Sequence, residues 1–208
     1  YYDERGSVTR QEQDTNRDGK MDRWIYYDSN GQIQRLEQDV NFDGKPDTIT
    51  YYESGRPVRQ EIASKNDGQI DTWLYLNGKG EVERKGQDTN HSGQPTLWVY
   101  YENGQPVRSE ESGNTASTGQ RRVFYKDGKV VRIEENSNGD GKPEVVTING
   151  TTGIVSVYLV NAAGLLATQF DSPATANVNR VSIADMNGDG RADLVLTTST
   201  GSSLAVML

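Results

Sequence analysis

Residues 14–38, DTNRDGKMDRWIYYDSNGQIQRLEQ, contain the features that decide the fold. An oxygen-rich loop (DTNRDGKMD) leads into an alternating strand (RWIYY), a turn with Gly31 and a second strand (QIQRLEQ). Two such strands joined by a short glycine-containing turn predict a β-hairpin. Alternate residues of a strand point to the same face, so Trp24 and Tyr26 share a face that we expect to form the core between repeats.

The same unit recurs along most of the chain. Its loops begin at Asp14, Asp39, Asp88 and Asn136, at intervals of 25, 49 and 48 residues, and halving the long intervals locates further loops near positions 63 and 112. Alternating aromatic strands follow at 23–27, 48–52, 72–76, 97–101 and 122–126. A period of 24–25 residues indicates a repeat architecture in which each thin layer packs on its neighbours.

The second strands of the hairpins carry recurrent charges. We expect these side chains to form ladders on the face opposite to the aromatic residues. Exposed ion pairs contribute only about 0–1 kcal/mol each, so their expected role is to fix strand register. The residues are Arg35, Arg59, Arg84, Arg108 and Arg132, with Glu37, Glu61, Glu110 and Glu134.

Three loops follow the pattern D-x-N-x-D-G-x-x-D, and a fourth closes with Glu instead of Asp. Calcium takes about six to eight oxygen ligands, which a curved loop supplies from side chains at its first, third, fifth and ninth positions and from the carbonyl of its seventh. The predicted Ca²⁺ ligands are Asp14, Asn16, Asp18, Lys20 and Asp22; Asp39, Asn41, Asp43, Lys45 and Asp47; Asp185, Asn187, Asp189, Arg191 and Asp193; and, in the altered loop, Asn136, Asn138, Asp140, Lys142 and Glu144.

The alternative interpretation of these loops is that they are ordinary turns, because Asn, Asp and Gly favour turns in any case. Three intact copies at matching positions favour metal binding. The remaining loops have lost ligands: the loop at Asp88 has no closing carboxylate, the loop at Ala63 lacks the first acid, and the loop from Ser112 has no acid. We expect little or no calcium there.

Composition excludes several classes of function. Only 33% of the residues are hydrophobic, against about 45–50% in typical domains, so one thick core is not expected. The net charge of −8 argues against nucleic acid as a partner. Cysteine is absent and His91 is the only histidine, so no nucleophile–base pair is available and an enzymatic role is not predicted. No segment approaches the roughly 18 apolar residues of a membrane span.

The C-terminal sequence VSIADMNGDGRADLVLTTSTGSSLAVML, residues 181–208, resembles the VCBS/FG-GAP repeat, the blade unit of integrin-like β-propellers. NGDGKPEVVTING followed by GIVSVYLVNAAGLL is similar to a preceding unit. The resemblance implies a calcium loop between two strands at 185–193. The hairpins at about 1–135 are similar to MORN-type repeats with a calcium loop added to each unit. We therefore predict tandem calcium-loop hairpins at 1–139 and VCBS/FG-GAP-like β units at 140–208.

The predicted fold is all-β: tandem antiparallel β-hairpins stacked as a solenoid-like or extended twisted sheet, with a C-terminal VCBS/FG-GAP-like unit. We expect a calcium-binding structural protein, extracellular or at the cell surface. The chain begins within one repeat and ends within a strand, which predicts head-to-tail association of copies into a filament or matrix fibre. The alternatives are a fragment of a larger cell-surface adhesin of integrin-propeller type that binds surface glycans or proteins, and an accessory domain of an enzyme. The aromatic stripe could also be a sugar-stacking platform, but its strict alternation favours a packed core.

Overall fold

A computed structural model describes residues 1–112, 121–136, 144–148, 154–160, 166–173, 178–184, 193–198 and 204–207. Within these residues, all regular structure is β-strand and every strand pair is antiparallel. The predicted all-β fold is therefore confirmed. Contacts divide the chain into two compact units, Tyr1–Gly104 and Gln105–Leu208. The division into two repeat types near residue 139 stays a prediction.

The first unit forms one sheet whose strands follow the order of the chain. Each predicted aromatic strand and each second strand is present at the expected place, so the hairpin repeat is confirmed. The strands are β1 (Arg10–Gln13), β2 (Arg23–Tyr27), β3 (Ile33–Gln38), β4 (Thr48–Glu53), β5 (Arg56–Ile62), β6 (Thr72–Leu76), β7 (Val82–Gln87) and β8 (Leu97–Glu102).

The second unit contains two sheets among its described residues. The strands of the first again follow chain order, and the second is a three-stranded antiparallel sheet. The first comprises β9 (Gln105–Glu111), β10 (Arg121–Lys126), β11 (Lys129–Glu135), β12 (Glu144–Ile148), β13 (Ile154–Val160) and β14 (Leu166–Pro173). The second comprises β15 (Val178–Ala184), β16 (Asp193–Thr198) and β17 (Leu204–Met207).

Short turns and long loops occupy opposite edges of the sheet in the first unit. The turn between β4 and β5 places Ser54 and Gly55 at φ values of 50° and 75°, the conformation that joins tightly paired strands. The long loops lie together at the opposite ends of the strands, and we call this side of the sheet the loop edge. They are loop 1 (14–22), loop 2 (39–47), loop 3 (63–71) and loop 4 (88–96).

The aromatic residues share one face as predicted, but the charged residues lie on that same face. Arg35 pairs in register with Tyr26 and Tyr51, and Glu37 pairs with Trp24. The prediction that arginine and glutamate occupy the opposite face is therefore wrong. The reason is a β-bulge after Tyr26, where the register shifts by one residue and reverses the facing of the second strand.

Arginine side chains lie over the tyrosine rings and also pair with glutamate on the same strand. In the first unit the guanidinium carbon lies 4.2 Å from the ring centre of Tyr26 for Arg35, 4.3 Å from that of Tyr51 for Arg59 and 4.1 Å from that of Tyr75 for Arg84. Cation–π stacking of this kind contributes about 0.5–1 kcal/mol at exposed sites. This face is therefore an aromatic and arginine layer rather than an apolar core.

Buried apolar side chains are few in the first unit and more numerous among the described residues of the second. Ile25, on the face opposite Trp24, and Ala63 are the buried hydrophobic residues of the first unit. In the second unit Val123, Ile133 and Val146 are buried and follow one another in register across β10, β11 and β12. Apolar burial therefore contributes less to the first unit than to the described part of the second.

Candidate functional site

The four loops are joined to one another by main-chain hydrogen bonds along the loop edge. The first residue of each loop donates its N–H to the carbonyl oxygen of the last residue of the preceding loop. These bonds are Asp39 N to Asp22 O at 2.9 Å, Ala63 N to Asp47 O at 2.8 Å and Asp88 N to Asp71 O at 2.9 Å. The loops therefore form a continuous column whose spacing is set by the strands.

All four loops have the same backbone conformation at their fourth and sixth positions. Both positions have positive φ, which is uncommon for residues other than glycine. The pairs are Arg17 at 64° and Gly19 at 90°, Phe42 at 63° and Gly44 at 92°, Asn66 at 54° and Gly68 at 74°, and His91 at 58° and Gly93 at 80°. The loops that lack predicted ligands thus keep the curvature of those that have them.

In loop 1, the acidic residues at the two ends fold the loop around their oxygens. Asp14 accepts hydrogen bonds from the N–H groups of Arg17 at 2.6 Å and Gly19 at 2.9 Å. Oδ2 of the buried Asp22 accepts hydrogen bonds from Thr15 N at 2.8 Å and from Asn16 N at 3.3 Å. The first and ninth positions are therefore held on the inner side of the loop.

Loop 2 repeats this arrangement more deeply in the protein. Asp39 and Asp47 are only 4% and 2% exposed. Oδ2 of Asp47 accepts hydrogen bonds from Val40 N at 2.8 Å and Asn41 N at 3.1 Å. Oδ1 of Asp47 is buried and has no hydrogen-bond partner. A buried carboxyl oxygen without a partner is costly, so a positive group beside Oδ1 would lower that cost.

The third and fifth positions of these loops also bind backbone N–H groups. In loop 1, Asn16 Oδ1 accepts from Asp18 N at 2.9 Å, and Asp18 Oδ1 accepts from Lys20 N at 2.8 Å. The latter bond and one from the Asn16 side chain lower the pKa of Asp18. Loop 2 has the same bonds through Asn41 and Asp43. These oxygens stabilise the curvature of the loop by accepting hydrogen bonds from its own backbone.

Among the described residues, no three acidic or histidine side chains are gathered closely enough to hold a metal ion. In loops 1 and 2, the predicted side-chain ligands accept hydrogen bonds from N–H groups of their own loop, whereas Asp47 Oδ1 has no partner. In the predicted site that closes with Glu144, Asn136 and Glu144 are described, and Glu144 is the first residue of β12. Asn138, Asp140 and Lys142 of that site lie outside the described residues. In the predicted site at 185–193, Asp193 is the first residue of β16. The other predicted ligands of that site lie outside the described residues: Asp185, Asn187, Asp189 and Arg191.

Loops 3 and 4 show that the closing residue has a structural role of its own. Oδ1 of Asp71 accepts from Ser64 N at 3.1 Å, and the hydroxyl of Thr96 accepts from Thr89 N at 2.9 Å. Burial raises the pKa of Asp71, but the hydrogen bonds from Ser64 outweigh burial and the pKa lies below its ordinary value. The ninth residue thus holds the second N–H group in every loop, with or without a predicted metal site.

Contacts between neighbouring loops were not predicted from the sequence. Asn41 Nδ2 donates to Asn66 O at 2.6 Å. The Lys45 side chain crosses Gly68, where a Cβ atom would lie 2.6 Å from Lys45 Cδ. Farther along, Lys65 Nζ lies 3.2 Å from His91 Nε2. The only available signal was the repeat spacing, which places the third residue of one loop beside the fourth residue of the next.

Comparison with known families identifies one segment of the chain. Residues 137–196 match the FG-GAP-like repeat. The FG-GAP part of the predicted resemblance is therefore confirmed for these residues, and the likeness of the hairpins to MORN-type repeats stays a prediction. No curated protein matches the chain. Within its described residues, the chain has no helix of the length and apolarity that a membrane crossing requires.

Proposed function

We propose that this chain is an extracellular or cell-surface structural protein whose loops bind calcium ions in a row along the loop edge. One observation carries the proposal: Asp47 is 2% exposed and its Oδ1 has no partner. The other predicted ligands of the second ion belong to the same nine-residue loop. A calcium ion would supply the positive charge that this buried oxygen lacks.

The donors of loops 1 and 2 fit a hard divalent cation. Every predicted ligand is an oxygen, and the pattern offers no nitrogen or sulfur donor. Asp14, Asn16, Asp18, the carbonyl of Lys20 and Asp22 would hold the first ion, and the matching residues of loop 2 would hold the second. The ion supplies charge and fixed loop ends, and the role we propose is structural rather than catalytic. Bound calcium would also offset the net charge of −8.

Calorimetric titration with calcium tests this proposal. We expect binding with dissociation constants of about 10⁻⁴–10⁻³ M, the range of extracellular calcium modules. The double variant Asp18→Ala/Asp43→Ala should lose two sites, because both residues occupy the fifth position of intact loops. Asp67→Ala changes the fifth position of loop 3 and should leave the stoichiometry unchanged. Absence of binding at millimolar calcium, or an unchanged stoichiometry in the double variant, would contradict the proposal.

Self-association of copies into a filament is the second part of the proposal. In the first unit, β1 pairs with β2 on one side. On its other side, Tyr1 N donates to Arg10 O at 3.0 Å, and a strand edge that is covered only in part is a template for pairing with another chain. A head-to-tail contact that does not close generates a fibre. Electron microscopy with calcium should show fibres that disperse when a chelator is added. Monodisperse monomers by light scattering at high protein concentration would contradict it.

A ligand-binding piece of a larger cell-surface adhesin of integrin-propeller type is the second candidate function. The match of residues 137–196 to the FG-GAP-like repeat favours it. Both candidates share calcium loops and an extracellular setting, where calcium is millimolar. They differ in their assembly, so the microscopy experiment above separates them.

A further inference from the structure

Loops 3 and 4 enclose a cleft at the loop edge of the first unit. Its volume is about 320 Å³, which lies at the lower end of the roughly 300–1,000 Å³ typical of small-molecule sites. Ile70 and Trp73 provide apolar lining, and Asp67 and Gln69 provide polar lining. These loops are the pair without a complete set of predicted calcium ligands, so the cleft requires a different explanation.

The cleft lies where the seventh residue of one loop does not cover the glycine at the sixth position of the next loop. Between loops 2 and 3, the seventh residue is Lys45, and its stem covers Gly68 of the next loop. Between loops 3 and 4, the seventh residue is the shorter Gln69, and no atom lies within 4 Å of a Cβ built on Gly93. Gly44 of loop 2, which follows Lys20 of loop 1, is likewise uncovered. The covering side chain is thus particular to Lys45, and the space that it fills between loops 2 and 3 is vacant between loops 3 and 4.

Polar side chains brace the cleft and leave hydrogen-bonding groups free to meet a ligand. Lys65 Nζ contacts the imidazole of His91 at 3.2 Å and 3.4 Å from its two nitrogens. Oδ1 of Asp67 accepts from Gln69 N at 2.9 Å, which fixes that carboxylate while Oδ2 faces no donor of the described chain. The oxygens of Asp88 are bound by the N–H groups of loop 4, so Asp88 shapes the wall rather than the binding groups.

The lining selects the class of ligand. A tryptophan side chain beside carboxylate, amide and ammonium groups is suited to a molecule with an apolar ring face and several hydroxyls. Three carboxylates, Asp67, Asp71 and Asp88, against the one ammonium of Lys65 give the lining a formal charge of −2 with His91 neutral. We propose that this cleft binds a neutral or amino-substituted saccharide, with Trp73 against the sugar ring and Asp67 and Gln69 on its hydroxyls. Anionic glycans are disfavoured by the charge.

The decisive variant is Gln69→Lys, which introduces at loop 3 the lysine that covers the next loop's glycine between loops 2 and 3. Its matched control is Gln94→Lys, the same exchange at the seventh position of loop 4, a residue outside the cleft lining. Calorimetric titration of the full chain should use lactose, cellobiose, N,N′-diacetylchitobiose and glucosamine, with a sulfated disaccharide as the anionic probe. We expect at least one neutral or amino sugar to bind, about tenfold weakening by Gln69→Lys, and unchanged binding by Gln94→Lys.

Three outcomes would overturn the inference. They are the absence of binding by every neutral and amino sugar at millimolar concentration, preference for the sulfated disaccharide, and equal affinity of the wild type and Gln69→Lys. Circular dichroism of each variant establishes that the sheet is retained. Asp67→Asn provides a second test without added bulk and should weaken the bound sugar severalfold. The inference stands apart from the calcium proposal, because Asp18→Ala/Asp43→Ala should still bind the sugar.

Discussion

Calcium is expected to raise the unfolding temperature of the wild-type chain and to have a much smaller effect on Asp47→Asn. A site filled at 100 times its dissociation constant stabilises the folded state by about 2.7 kcal/mol. For a unit of this size, that free energy corresponds to a shift of about 10 °C or more. Thermal melts of both proteins, with calcium and with a chelator, measure the difference.

Without calcium, Asp47→Asn should be as stable as the wild type or more stable. The wild type then buries the carboxyl oxygen Oδ1 of Asp47 without a partner, and a neutral amide is less costly to bury than a charged group. The amide oxygen of asparagine can still accept from Val40 N and Asn41 N, as Oδ2 does in the wild type. The substitution is therefore expected to change sign, from neutral or stabilising in chelator to destabilising in calcium.

The matched control is Asp67→Asn, in a loop that lacks the first acid. Asp67 is exposed and its neighbour at the head of the loop is Ala63, so its substitution should leave the calcium response intact. A wild-type melting curve that does not move when calcium is chelated would refute the calcium sites. If calcium raised the unfolding temperature of Asp47→Asn and of the wild type equally, loop 2 would not be a calcium site.

The hairpin repeat could be predicted because its signals are local. Alternating residues such as Trp24 and Tyr26 define a strand, and glycine marks the turn that follows. The facing of the second strand could not be predicted, since it depends on the bulge after Tyr26. The same shift recurs after Tyr51 and Tyr75. One extra residue in each hairpin places the arginines on the same face as the aromatic residues.

The candidate site shows the same division between local and distant information. The spacing of acidic residues in loops 1 and 2 predicts oxygen ligands for one ion in each loop. It does not reveal that Asp47 is buried with one oxygen unpartnered, because burial arises from the neighbouring loops. Likewise the pattern does not reveal that Lys45 covers Gly68 whereas Gln69 leaves Gly93 uncovered. These contacts join residues about one repeat apart, and a pattern within one loop carries no information on them.

Ile133→Ala is expected to produce the largest loss of stability in the second unit. Ile133 is 1% exposed on β11, between Val123 of β10 and Val146 of β12, which are also buried. Replacing a buried isoleucine with alanine removes apolar contacts and leaves a cavity, at a cost of about 2–5 kcal/mol. Ile133→Val removes one methylene and should cost about 0.5–1.5 kcal/mol.

The matched control is Ile33→Ala on β3 of the first unit, where the same side chain is 37% exposed. A surface substitution of this kind stays within about 0.5 kcal/mol of the wild type. Urea unfolding of the three variants measures these free energies. Equal losses for Ile133→Ala and Ile33→Ala would mean that the valine and isoleucine row of β10 to β12 is not a packed core. The graded losses we expect would instead establish that the second unit is stabilised by apolar burial, whereas the first relies on its arginine and tyrosine layer and its loops.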